Sequence, residues 1–127
     1  MTTYRIPNMK NYFKQTSPFI VPTNDGKLIE EHFGLASSGE KNYSFAHMNA
    51  PPNWSEPFQN PEFEEIIIMI NGKIKIIVDD EELILQKGET LKLNKGVRVQ
   101  SSNPFNESAE YWCVCIPAFS LESAHRE

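Results

Sequence analysis

Between residues 43 and 117 the chain is cut into short apolar runs by turn-forming residues, and none of the runs has the length and period of a helix. Nine prolines and six glycines supply much of this punctuation, which is the pattern of an all-β sandwich or barrel. Asn71-Gly72 separates the runs 65–70 and 73–78. Both residue types accept the positive φ of a type I′ turn, so a hairpin is expected there. Further turns are expected at Asp79-Asp80, Lys87-Gly88 and 94–96, leading into strands at 83–85, 90–93 and 97–100. A last strand over 109–116 stops at Pro117, and another over 43–48 leads into the proline-rich loop 51–61. Residues 1–35 are less regular, with a turn at 23–26 between two more strands. Consecutive hairpins imply antiparallel pairing, and strands in this number close a jelly roll or barrel, removing exposed sheet edges. With no helical crossover between strands, a parallel α/β architecture is disfavoured.

The length, 127 residues, suits one domain. It divides into amino-terminal strands and arm at 1–42, a core at 43–117 and a tail at 118–127. Twelve Lys and Arg against seventeen Asp and Glu give a net charge of −5, which repels nucleic acid and anionic membrane surfaces. No apolar stretch is long enough to span a membrane, and the first 15 residues lack a secretory apolar segment with a cleavage site, so a cytoplasmic location is expected. The two cysteines, Cys113 and Cys115, stand too close along one strand for an unstrained disulfide. They read as packed thiols, since one pair is too few ligands for structural zinc.

The glycine spacing then narrows the fold. Glu65 precedes Gly72 by six residues, fifteen residues separate Gly72 from Gly88, and Gly88, Gly96 and Asn103 follow at the intervals of a second motif in which Asn94 replaces a proline. These residues resemble the paired motifs of the cupin superfamily, over about residues 43–117. The chain is similar to small single-domain bacterial cupins of the RmlC-like, cupin 2 conserved barrel type, which implies a double-stranded β-helix or jelly-roll barrel. By the same resemblance it pairs as a homodimer. Metal-binding cupins also carry His-x-His before the motif Glu and a further His in the second motif. Here those places fall on Phe58 and Asn60, or on Gln59 and Pro61, and on Val99. Phe, Pro and Val have no lone pair to donate, and the amides bind weakly, so the usual iron, manganese or nickel chemistry does not carry over.

Alternation along strands puts Glu65 on one face with Ile67 and Met69, and Val99 on one face with Val97 and Ser101. If these faces line the barrel, Glu65 is a carboxyl among apolar groups, expected to titrate high and to serve as general acid or base. The alternative is a structural carboxylate paired with Arg98, His47 or Tyr111. His47 is a candidate proton-transfer partner of Glu65, or else a hydrogen-bonded core histidine. Gln59, Glu62, Met69, Arg98, Val99 and Tyr111 are the candidate pocket residues. A surviving metal site would be assembled from His47, Gln59, Glu62 and Glu65, an oxygen-rich set suited to manganese, magnesium or weak zinc. In the last strand either Glu110 and Trp112 or Tyr111, Cys113 and Cys115 face inward. Trp54, Phe58 and Phe63 either close the pocket mouth or form a subunit interface, and His32 and His125 read as surface residues.

Three functions follow as expectations. The first is a small-molecule pocket without a firmly held cofactor, either a metal-independent isomerase or lyase using Glu65, or a binding module. The second is an enzyme holding a divalent metal on the unusual ligand set. The third is a non-catalytic regulatory or structural dimer.

Overall fold

The computed structural model describes residues 11–127. The first ten residues, part of the expected amino-terminal arm and of the segment read for a secretory signal, lie outside the described residues. Ten strands and one short helix follow in order: β1 (Phe19–Ile20), β2 (Leu28–Phe33), β3 (Ser44–Ala50), β4 (Trp54–Ser55), β5 (Glu64–Asn71), β6 (Lys73–Val78), β7 (Glu81–Gln86), β8 (Thr90–Leu93), β9 (Val99–Asn103), β10 (Ala109–Ile116) and α1 (Leu121–Ala124). All pairings are antiparallel. A six-stranded sheet runs β1-β2-β3-β10-β5-β8 and a four-stranded sheet β4-β9-β6-β7. The two form an all-β jelly roll. No helix among the described residues is long and apolar enough to cross a membrane.

The hairpin expected at Asn71-Gly72 does not form. Strand β5 pairs with β10 and β8, whereas β6 pairs with β7 and β9, so the chain changes sheets at this point. Only Gly72 has positive φ, at 73°, which rules out a type I′ turn. The edge that β6 would have taken is occupied by β10, with Asn71 opposite Glu110 and the Asn71 amide donating to the Glu110 carboxylate at 3.0 Å. The partner of each strand was decided by distant chain and not by the local turn residues. The two-residue hairpin lies one strand later, at Asp79-Asp80, where Val78 faces Glu81.

A Cβ on Gly72 would sit 2.6 Å from the Ser108 carbonyl oxygen, a backbone atom that cannot swing aside. Gly72→Ala is therefore expected to destabilise the fold by about 1–3 kcal/mol, combining left-handed strain with this clash. A urea midpoint equal to that of the parent chain would show that the crossing adjusts freely.

Alternation sets the interior. Ile67 and Met69 of β5, Ile74 and Ile76 of β6, and Val99 of β9 are buried, and on β10 the buried face carries Ala109, Tyr111, Cys113 and Cys115. The last strand thus turns its hydroxyl and two thiols inward, and Glu110 and Trp112 outward. At one end of the core Asn103, fully buried, donates to the carbonyls of Ala50, Pro51 and Glu107 and accepts from Phe105 N–H. At the other, Ser120 caps α1 by accepting from Ser123 N–H at 3.1 Å. That turn seats Ala124 beside Phe63, Phe119 and Cys115 in a second small cluster.

Candidate functional site

The space between the sheets is not filled at the end where the loop before β2 meets α1, leaving a cavity of about 540 Å³. Three segments furnish its polar groups. The first is the turn 23–27. Asp25 accepts from the Lys27 backbone N–H at 3.1 Å and from the Trp54 indole at 2.8 Å, and the Thr23 hydroxyl donates to the Lys27 carbonyl at 2.7 Å. This holds Lys27 over the barrel end, only 7% exposed, with its ammonium 4.2 Å from the Trp54 ring centroid and 5.2 Å from that of Tyr111. The second is the inner face of β5 and β10, giving Glu65, Tyr111, Cys113 and Cys115. The third is the tail after α1, where Arg126 pairs by backbone with Gln59 and donates from Nε to the Gln59 side-chain oxygen at 3.2 Å. Glu31, Glu56 and Ser101 also line the space.

Glu65 is the electrostatic centre. It is enclosed by protein but opens onto the cavity, and burial, reinforced by the Glu56 charge, pushes its carboxyl up to about 7 against the pull of Lys27, the Cys113 thiol and Arg126. Around it the acids stay un-ionised: burial raises Tyr111, Cys113 and Cys115 well above their ordinary values, and the proximity of Glu65 adds to the rise of both thiols. Neither cysteine is thereby a thiolate nucleophile. For Lys27, burial works against the charge, but the neighbouring Tyr111 hydroxyl and the Glu56 carboxylate outweigh it and keep the amine an ammonium. The Tyr111 hydroxyl, fully enclosed, lies beside the Lys27 ammonium and finds no other polar partner among the described residues.

The family profile described as cupin domain matches residues 46–116, more than half of the chain. The chain belongs to the cupin family. Solved structures similar to this cupin agree in fold: a variant of oxalate decarboxylase from Bacillus subtilis (TM-score 0.74, 18% identity, 90% of this chain and 31% of that one) and a cupin 2 conserved barrel domain protein from Salinispora arenicola (TM-score 0.62, 14% identity, 91% and 92%). In sequence, the cupin is 42% identical over 108 residues to a Myxococcus xanthus protein named endoribonuclease YbeY. That match takes in 85% of this chain and spans 37% of the relative's length.

Within the cupin frame the imidazole positions can now be placed. Gln59 lines the cavity and exchanges two 2.9 Å backbone hydrogen bonds with Val99, so the first-motif and second-motif positions stand side by side, as a metal site would require. Asn60 is exposed and Phe58, half-buried under Arg98, lies outside the cavity, which selects the alignment that places Gln59 and Pro61 where the histidines would be. The donors do not fit a metal. Gln59 and Glu65 are joined in the cavity by two cationic side chains, and among the described residues no three His, Cys, Asp or Glu converge on one point.

The four-residue ligand set considered from sequence does not assemble. His47 faces outward on β3, its Nδ1 2.9 Å from Glu30 and its Nε2 2.7 Å from Glu110, its ring tilted against Trp112. Burial opposes its protonation, but hydrogen bonds to the two carboxylates prevail and raise its pKa. It is therefore a clamp across β2, β3 and β10 and no partner of Glu65; alternation sends Ser44, Ala46 and Met48 inward instead. Glu62 is exposed and pairs with His125 at 3.0 Å. Arg98 lies outside the cavity, bridged to Glu127 at 2.7 Å and stacked on Phe58. Met69 and Val99 are core residues beneath the site and do not line it. Of the sequence candidates, Glu65, Gln59 and Tyr111 share the cavity. Trp54 and Phe63 pack inside and close no mouth.

Lys27, Glu31, Glu56 and Arg126 were not foreseen. Lys27 and Glu56 stand in loops outside any motif, and Arg126 lies beyond the motif region. Only a lysine next to the 23–26 turn, where the chain must fold back over the barrel, hinted at the first.

Proposed function

We propose that this cupin is a small-molecule enzyme, an isomerase or lyase acting without a resident metal, in which Glu65 moves a proton to and from a substrate carbon beside a carbonyl. The observation that carries the reading is a carboxyl walled in by protein, its pKa pushed up to about 7, facing an open cavity. Proton transfer is most effective from a group whose pKa matches the working pH. Glu65 takes the proton from carbon, and the electron pair moves onto the carbonyl oxygen. The Lys27 ammonium and the Tyr111 hydroxyl then supply the positive charge and the donor that stabilise this enolate. Return of the proton to a different carbon or face gives isomerisation; loss of a leaving group from the next carbon gives elimination.

The name of the Myxococcus xanthus relative suggests a ribonuclease reading instead. A net charge of −5 and a cavity with several carboxylates favour small ligands over a phosphate backbone.

Incubation in deuterated water with 2-oxo acids, 3-hydroxy acids and reducing sugars, followed by proton NMR, tests the proposal. Deuterium is expected to enter one class at the carbon beside the carbonyl, with Glu65→Gln slowing this by about 100-fold or more. Ligand binding with no exchange would replace the enzyme by a binding module. Exchange untouched in Glu65→Gln would sink the assigned role.

A further inference from the structure

Neither Lys27 nor Arg126 is in an ion pair. Among the described residues no carboxylate oxygen lies within 4.0 Å of either. For Lys27, almost wholly buried, this is costly, because the ring faces of Trp54 and Tyr111 compensate an ammonium less well than an ion pair does. The cavity's own carboxylates are committed elsewhere or stand off. Asp25 is held by the Trp54 indole and the Lys27 backbone, and Glu31 accepts from the Ala36 and Ser37 amides at 3.1 and 2.8 Å. Glu56 acts on Lys27, and Glu65 on both Lys27 and Arg126, only through the field. The unused capacity is thus all of one kind. It comprises the remaining donors of the Lys27 ammonium beside the Tyr111 hydroxyl, that hydroxyl's own proton, and the Arg126 guanidinium, whose one hydrogen bond goes through Nε to Gln59.

We propose that the cavity binds a small organic carboxylate, clamped between the Lys27 ammonium at its base and the Arg126 guanidinium at its rim, with the Tyr111 hydroxyl donating to the bound acid. The inference rests on the small-molecule reading of the cavity above and adds the ligand class. A planar carboxylate matches the guanidinium edge. A neutral sugar leaves both cations unpaired. A phosphate dianion brings a second negative charge towards Glu56 and Glu65, and a cationic ligand meets Lys27. In this geometry Lys27 and Arg126 select the substrate, while Glu65 stands on the inner wall between the sheets, facing whatever the clamp holds.

Calorimetric titration of the full chain with pyruvate, lactate, glucose and inorganic phosphate tests the clamp. One of the two acids is expected to bind, glucose not at all, and phosphate more weakly than the acid. Lys27→Met and Arg126→Gln should each weaken acid binding by about tenfold or more, Tyr111→Phe by a smaller factor, and Arg126→Lys should recover part of the loss. Because Lys27→Met alters a buried position, Arg126→Gln at the exposed rim carries the test if the former misfolds. Affinity unchanged in Arg126→Gln, glucose bound more tightly than both acids, or no binding of either acid would each overturn the proposal. Acid binding without deuterium exchange would keep the clamp and remove proton transfer. Exchange on a neutral sugar without acid binding would do the reverse.

Discussion

Replacing Glu65 by Gln is expected to raise stability by about 3 kcal/mol above pH 7 relative to the parent chain, with no such gain below pH 4.5. The sign follows from linkage. The folded carboxyl titrates at about 7, whereas the unfolded one titrates near its ordinary value of 4.5, so the native state holds the proton more tightly. Below 4.5 both states are protonated and the burial cost is avoided. Between 4.5 and 7 unfolding releases a proton, and the native state loses ground with each pH unit. Above 7 the folded protein carries the charge beside Glu56 and the full penalty stands. Gln keeps the shape without the titration. Urea midpoints at a series of pH values should therefore diverge across this window and run parallel above it. Curves parallel throughout would mean that Glu65 is solvated like any surface acid, and the acid–base proposal would fall with it.

Asn103→Ala is expected to be the most damaging single polar substitution, costing about 3–5 kcal/mol. The Asn103 amide donates to three backbone carbonyls, at 3.1 Å to Ala50, 3.2 Å to Pro51 and 2.8 Å to Glu107, while its oxygen accepts from Phe105 at 3.2 Å. These contacts tie the end of β3, the loop after it and the turn before β10 to the end of β9. Ala leaves these buried groups without that partner and opens a void at a site with no exposure. Asn103→Asp should be worse still, because a second oxygen would face the three carbonyls. A loss below about 1 kcal/mol in chemical denaturation would show that water replaces the amide without penalty.

Asn103 and Glu65 also mark how far the sequence could be read. Both belong to motif spacings visible in the chain; the spacing put Glu65 on the inward face, while the role of Asn103 in locking a corner came from the structure alone. Tyr111, Cys113 and Cys115 were recognised as sharing a face, but strand alternation is symmetric and left the choice of face open. Burial of β10 between β3 and β5 made that choice, because only one side of the six-stranded sheet meets the second sheet. His47 shows the same limit more sharply. Its chemistry suited the pocket, yet its parity along β3 put it outside, where Glu30 and Glu110 hold it.

By itself, then, the sequence determined the class of element, the limits of the strands at 73–78, 90–93 and 109–116 though not of the one expected at 97–100, the family and the loss of the imidazole positions, because turn residues, periodicity and motif spacing are local properties. Tertiary structure alone decided that Asn71-Gly72 joins two sheets instead of forming a hairpin, since β10, distant in sequence, takes the edge of β5. It alone also decided which charges meet. Lys27 before the second strand and Arg126 after the helix reach the same cavity as Glu65 because the barrel end lies between them, and no spacing along the chain encodes that convergence.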